Sequence, residues 1–195
     1  MLELSEAERH RRWMVWSAMA EVFLDTETRP SVSLLALACL ESGYTQTELD
    51  EIWRHEVSPV LAPNLLTMAG AWAWGDLAWM EELIVRRHRG ILDRLWARVC
   101  RSHWREACRL MDWLRGWPED ERSRVAHALF RMTWAAYSDL SAEALNLSGL
   151  SEASITKIWT EAAVPLMTNL YVKGHEEPLS TYLKRGQAAL DERRS

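Results

Sequence analysis

Apolar residues recur at spacings of three and four along most of this chain. Over residues 5–24, Trp13, Trp16, Ala20 and Phe23 form one apolar stripe, and charged residues occupy the opposite side. This periodicity predicts amphipathic helices rather than strands, whose side chains alternate with a period of two. The same reasoning predicts further helices over residues 31–41, 151–172 and 178–191.

Composition supports the same fold class. The 195 residues include only 8 Gly and 6 Pro, so there is little of the turn chemistry that a many-stranded sheet needs. Ala, Leu, Glu and Arg are common, whereas alternating Val, Ile and Thr are almost absent. The sequence therefore predicts an all-α protein.

One stretch of the chain occurs twice. Gly43–Pro59 aligns without a gap with Gly149–Pro165, 106 residues later. Self-similarity at a fixed offset indicates repeated supersecondary units. We therefore expect two related helical halves, each packed through an Ile-Trp helix. The positions that are identical in both copies are Gly43 and Gly149, Ile52 and Ile158, Trp53 and Trp159, and Pro59 and Pro165.

Local signals define the start and the break of the repeated helix. Thr45 and Glu48 have the spacing of a capping box, in which each side chain binds the backbone N–H of the other residue. Pro59 lacks a backbone donor, so we expect the helix to kink or restart there, with Ser58 as a new cap. Pro165 predicts the same break in the second copy.

A basic segment separates the two copies. We expect one helix from about residue 91 to residue 115, with Leu92, Leu95, Trp96 and Val99 beginning its apolar face. Between residues 86 and 115, nine arginines oppose three acids, a net charge of about +6, whereas the whole chain carries −5. The remainder is therefore acidic, at about −11. The face opposite the apolar one carries Arg94, Arg98, Arg101, Arg105 and Arg109, here called the arginine stripe.

These features predict three parts within one compact domain. Residues 1–89 form the first helical repeat, 90–116 a long basic bridge helix, and 117–195 a second, diverged repeat.

Cysteine usage and hydropathy suggest a location. Three cysteines at irregular positions do not form a disulfide framework, which favours a reducing compartment. The first ten residues are acidic and lack the apolar core of a signal peptide. The longest apolar tract, Val60–Trp74, is interrupted by polar residues and is too short to span a bilayer. We expect a soluble cytoplasmic protein without membrane association.

No residue pattern indicates catalysis. His55-Glu56 would need a second His at position 59 for a zinc-protease motif, but Pro59 stands there. Cys100, His103 and Cys108 lack a fourth ligand at a spacing typical of zinc sites. The glycine patterns of nucleotide-binding loops are also absent from the sequence. We expect no enzyme activity, no metal and no cofactor.

Five short motifs in the first half resemble a known family. They are FLDTE at 23–27, EVxPV at 56–60, NLL at 64–66, AGxW at 69–72 and DLxW at 76–79. Their order and gaps are similar to those of a family of small uncharacterised bacterial helical proteins, a domain of unknown function, over about residues 10–88. Since the family has no assigned chemistry, the resemblance implies no catalytic residues. It does suggest immunity or accessory partners of bacterial toxins.

The favoured expectation is a non-catalytic protein-binding module, in its sharpest form a bacterial immunity protein that neutralises a cognate toxin. Acidic surface suits a basic target because complementary charge speeds encounter, and exposed aromatic residues are frequent interface hot spots. Trp72, Trp74 and Trp117 lie in predicted turns, and the alternative interpretation of them is core or hinge packing. The residues expected to bind the partner are Asp25, Glu27, Glu56, Trp72, Trp74, Asp76 and Trp117.

Two other functions remain open at this stage. The arginine stripe could bind phosphates in a nucleic-acid-binding regulator, whereas a solvated face bridged by neighbouring acids would be purely structural. The chain could also be a small helical enzyme or ligand binder with a pocket between the repeats.

Overall fold

The computed structural model describes residues 4–23, 28–63, 78–87, 90–138, 145, 147–171 and 177–194. Every regular element within these residues is helical, so the all-α prediction is confirmed. A short 3₁₀ turn, Glu21–Phe23, follows the first helix. The α-helices are α1 (Glu6–Ala20), α2 (Ser31–Glu41), α3 (Gln46–Ile52), α4 (Ser58–Leu61), α5 (Ala78–Arg86), α6 (Asp93–Trp96), α7 (Arg101–Arg115), α8 (Glu119–Tyr137), α9 (Glu152–Ile158), α10 (Val164–Leu170) and α11 (Leu179–Arg194).

Side-chain caps begin the helices where the sequence places them. The hydroxyl of Ser5 accepts from the Glu8 N–H at 3.2 Å at the start of α1. Thr45 and Glu48 form the predicted capping box: Glu48 N–H donates to Thr45 Oγ1 at 3.3 Å, and Thr45 N–H donates to Glu48 Oε2 at 2.7 Å. Ser151 caps α9 through its hydroxyl alone, which accepts from the Ser154 N–H at 3.1 Å. Each cap satisfies a backbone donor that the first helical turn leaves open.

The expected kink or restart at Pro59 is replaced by a π-helix. Trp53–Val57 has π geometry, and Ser58, far from capping a new helix, has helical dihedrals and donates its N–H to Trp53 O. A π turn shifts the hydrogen bonding by one residue, so the chain passes the missing donor of Pro59 without leaving the helix. Trp159–Ala163 does the same before Pro165.

The two repeated stretches therefore share their local structure element by element. Gly43 (φ 69°) and Gly149 (φ 80°) both have the left-handed backbone that favours glycine. A capped helix, a π-helix and a proline-containing α-helix follow each glycine. A common origin of the two halves stays a prediction.

The prediction of a single bridge helix over residues 91–115 is wrong. α6 ends at Trp96, a turn follows over residues 97–100, and α7 begins at Arg101. Cys100 has a positive φ of 55°, which a right-handed helix cannot contain. Because the axis breaks there, the expected apolar face is divided. Leu95 before the break is 51% exposed, whereas Leu110 and Leu114 after it are fully buried.

The chain forms two compact units. The first combines residues 1–28 with Ala38–Trp104, and its core includes Trp16, Leu49 and Ile52. The second combines Arg29–Leu37 with residues 105–195. The expected three-part division at residues 89 and 116 stays a prediction.

The core of the second unit contains an arginine. Leu129, Ile158 and Leu166 are fully buried there, and Arg29 is almost completely buried with its guanidinium 4.1 Å from the centre of the Tyr137 ring.

None of the helices within the described ranges is long and apolar enough to cross a membrane.

Candidate functional site

The structure divides the arginine stripe. Arg94, Arg98 and Arg101 line one pocket in the first unit, and Arg105 is exposed at the start of the second unit. Arg109 donates to Glu106 Oε2 at 2.8 Å and to the carbonyl of Glu161 at 3.4 Å, so it has a structural role. A continuous five-arginine surface is therefore not what the chain presents.

The pocket that collects these arginines is concave and half open, with a volume of about 340 Å³. That size lies at the small end of the range of ligand pockets, about 300–1,000 Å³. We call it the arginine pocket. Its lining residues are Asp50, Trp53, Arg54, Arg94, Ala97, Arg98, Arg101 and Trp104.

Four local structures supply the four guanidinium groups. Arg54 comes from the π-helix Trp53–Val57 and Arg94 from α6. Arg98 lies in the turn that ends at Cys100, and Arg101 begins α7. A straight helix would present such residues on a convex ridge. The break at Cys100 instead lets them surround a concave site.

Two buried indoles form the floor of the pocket. Trp53 and Trp104 stack on each other with ring centroids 5.2 Å apart and planes inclined by 12°, and the ring centroid of Phe23 lies 5.1 Å from that of Trp53. The Trp104 N–H donates to Asp50 Oδ1 at 2.8 Å. Since both indoles are buried and in ring contact, they do not offer the open faces that nucleic-acid bases stack on.

The rim of the pocket is strongly positive. Within the part of the chain that the structure describes, Arg94, Arg98 and Arg101 have no ion-pair partner. Arg54 makes a half-exposed pair with Glu51 at 3.4 Å. Asp50 is the one carboxylate among the lining residues. Four guanidiniums around one carboxylate favour an anion, because each guanidinium presents a fork of donors that matches carboxylate or phosphate oxygens.

A buried aspartate holds the wall of the pocket in place. Asp93, at the start of α6, accepts hydrogen bonds from His55 Nδ1 at 3.0 Å, from Arg87 Nη2 at 2.7 Å and from the N–H of Gly90 at 3.1 Å. Burial opposes ionisation, but these three hydrogen bonds outweigh it and lower the pKa of Asp93. The ionised carboxylate thereby ties α6, which carries Arg94, to the π-helix that carries Arg54.

The structure describes two of the seven residues that are expected to bind a protein partner. Asp25, Glu27, Trp72, Trp74 and Asp76 lie outside the described residues.

The two that are described are buried. Glu56 is 5% exposed, accepts from the Trp16 N–H at 2.8 Å and pairs with Arg12. Trp117 is 7% exposed, with the Lys157 ammonium 4.5 Å from its ring centre. The structure gives both of them packing contacts, and a partner-binding role for the set stays a prediction.

The cysteine and histidine candidates have separate surroundings. The Cys100 thiol donates to the carbonyl of Val22 at 3.3 Å, and burial raises its pKa to about 11. His103 Nε2 lies 3.3 Å from the Thr28 hydroxyl. No group of three or more potential metal ligands occurs among the residues for which coordinates are described.

Sequence reasoning missed three of the eight lining residues of the pocket. Asp50, Trp53 and Arg54 come from the repeated helix, 40 to 51 residues before Arg94, Arg98 and Arg101. The only signal was local: Arg54 directly follows the repeated Ile-Trp pair, and the second copy has Thr160 at the corresponding position.

The fold and the pocket define an all-α protein with a basic, concave pocket. The chain belongs to the family described as domain of unknown function DUF7079, whose model matches residues 10–121. The matched segment contains all eight lining residues of the arginine pocket. No curated protein and no solved structure matches the chain.

Proposed function

We propose that this protein is a non-catalytic nucleic-acid-binding regulator whose arginine pocket holds phosphate groups. One observation carries the proposal: Arg94, Arg98 and Arg101, none of them ion-paired within the described residues, converge with Arg54 on one concave site. Arginine pairs with phosphate through parallel hydrogen bonds and stays charged at all physiological pH values. Nucleic acid supplies such phosphates at high local density.

The distribution of charge limits how binding can occur. The chain as a whole carries −5, so its net charge opposes the approach of a polyanion, and binding requires a locally positive site such as the pocket. A site of three or four arginines neutralises about three phosphates. On a single strand that corresponds to a slope of about −2 for the logarithm of the binding constant against the logarithm of salt concentration.

The test is a binding titration with single-stranded DNA and RNA of about 12 nucleotides, labelled internally and measured by fluorescence anisotropy at several salt concentrations. The double variant Arg98→Gln/Arg101→Gln should lose most of the affinity and flatten the salt slope. Arg105→Gln is the matched control, since Arg105 belongs to the stripe but not to the pocket. Equal losses in the two variants, or no binding by the unaltered protein, would contradict the proposal.

The toxin-neutralising module is the second candidate. Its support is the acidic charge outside residues 86–115, including the exposed Glu119 and Asp120 at the start of α8, together with the family resemblance. Purification of the tagged protein from its native cells, with and without nuclease, separates the two candidates. A stoichiometric protein partner that survives nuclease treatment would favour the module, whereas loss of the partner on digestion would favour nucleic acid.

A further inference from the structure

The half-open, concave form and the small volume of the arginine pocket limit which part of a strand can enter it. Trp53 and Trp104 are buried and form the floor, whereas Arg94, Arg98 and Arg101 are exposed around the rim. An internal phosphodiester needs room for the strand to continue on both sides. A chain end needs it on one side only, which a half-open concave site of about 340 Å³ provides.

The number of guanidinium donors around the pocket also favours a chain end over an internal phosphodiester. A terminal phosphomonoester carries a charge of about −1.5 to −2 at neutral pH and presents three acceptor oxygens. An internal phosphodiester carries a single charge. Three guanidiniums without ion pairs among the described residues, joined by Arg54, supply more donors than one phosphodiester can use. The terminal group makes fuller use of the rim.

The floor of the pocket favours phosphate over base. The faces of Trp53 and Trp104 are stacked on each other, and the Trp104 N–H is bonded to Asp50. The Asp50 carboxylate repels an anion that approaches the floor, so a phosphate is held at the guanidinium rim. From there the rest of the strand extends outward, and its bases make no stacking contact with the indoles.

We infer that the arginine pocket recognises the terminal phosphomonoester of a single nucleic-acid strand, independently of base sequence. This inference rests on the proposed function and names the part of the nucleic acid that the pocket takes. Arg94, Arg98 and Arg101 hold the phosphate oxygens, and Arg54 completes the ring from the π-helix.

The experiment compares internally labelled strands of one sequence. The first has a 5′-phosphate, the second a 3′-phosphate and the third two hydroxyl ends. A fourth strand has hydroxyl ends and one extra nucleotide, so it carries as many phosphates as the first. The full-length protein is titrated with each strand at about 50 mM salt, where electrostatic contacts are weakly screened.

A strand with a terminal phosphate is expected to bind about tenfold more tightly than both hydroxyl-ended strands, because its additional charge meets three guanidiniums without ion pairs among the described residues. Arg98→Gln/Arg101→Gln should abolish this preference, and Arg105→Gln should retain it. Circular dichroism of each variant checks that the helices are intact.

Other outcomes distinguish recognition of a terminal phosphate from nucleic-acid binding in general. Equal affinity for all four strands would overturn terminal recognition and leave nucleic-acid binding standing. No binding of any strand would overturn both. A nucleoside monophosphate that binds as tightly as the phosphorylated strand would overturn the assignment to a strand end and would indicate a free nucleotide instead.

Discussion

His55 Nδ1 lies 3.0 Å from Oδ2 of the fully buried Asp93, which joins the π-helix of the first unit to the start of α6. Arg87 and the Gly90 N–H complete the hydrogen bonds to this carboxylate. The π-helix exists because the chain must pass Pro59, and it is this segment that directs His55 to Asp93 and Arg54 to the pocket. A backbone irregularity thus sets the geometry of the candidate site.

Asp93→Asn is expected to destabilise the protein by about 3 kcal/mol, because it leaves the guanidinium of Arg87 without its charged partner. Asp112→Asn is the control: Asp112 is exposed and pairs with Arg115 at the surface, so its loss should cost less than about 1 kcal/mol. Urea unfolding of the two variants gives the free energies directly. Similar values for the two would show that Asp93 does not hold this region together.

The same carboxylate gives a pH dependence with a defined sign. The pKa of Asp93 is lower in the folded protein than the ordinary value of 3.8, so its contribution to stability is present above that value. The contribution is lost as the pH falls below 3.8 and through the folded-state pKa. Asp93→Asn should therefore show a smaller loss of stability than the unaltered protein in this acid range. Parallel curves of unfolding free energy against pH would contradict the assignment.

The partly buried Arg12 pairs with the buried Glu56, whose counterpart in the second repeat is apolar. Glu56 also accepts from the Trp16 N–H, whereas the corresponding position of the second copy is the buried Ala162. Removing one member of a buried ion pair costs about 3–5 kcal/mol, but replacing both by apolar residues is often neutral. Arg12→Met and Glu56→Met should each destabilise strongly, and the double variant should recover the part that comes from the unpaired charge but not the cost of the unpaired Trp16 N–H.

The matched cycle uses the exposed pair Arg115 and Asp112, for which the coupling should stay below about 1 kcal/mol. Urea unfolding of all the variants gives both coupling energies. If the losses at Arg12 and Glu56 simply add, the two residues act independently and the pair has no special role.

Local chemistry was predictable from the sequence, and contacts between distant segments were not. The capping box of α3 and the bounds of α2 follow from nearest-neighbour rules. Two backbone features could not be predicted from the sequence. The loss of the Pro59 donor is compatible with a kink, a restart or a π-helix, and a left-handed Cys100 has no glycine to mark it. The pocket could not be predicted because only the tertiary fold brings Arg54 and Arg98 to the same site.

Gly186 in α11 packs closely against Trp159 of the second repeat. A Cβ at this position would lie 2.4 Å from Cη2 of the buried Trp159, the counterpart of Trp53. Alanine gains about 1 kcal/mol of helix propensity over glycine, but overpacking against a buried ring costs about 1–3 kcal/mol. Gly186→Ala should therefore be destabilising in a thermal or urea unfolding experiment.

Ala188→Gly is the reciprocal control, since Ala188 is exposed on the same helix. It should lose about 1 kcal/mol through propensity alone. A Gly186→Ala variant that gains what Ala188→Gly loses would show that Trp159 yields to the added methyl group without cost.

Asp50 offers a test of the pocket in which affinity increases. Asp50→Asn removes the one carboxylate among the lining residues, while the amide oxygen can still accept from the Trp104 N–H. Asp50 is partly exposed, so its carboxylate repels a phosphate at the rim by about 1 kcal/mol. The variant should therefore bind a phosphorylated strand about fivefold more tightly. Asp112→Asn removes the same charge from a residue that does not line the pocket and should leave the affinity nearly unchanged. An equal gain in both variants would trace the effect to the net charge of the protein, and no gain in either would place the binding outside the arginine pocket.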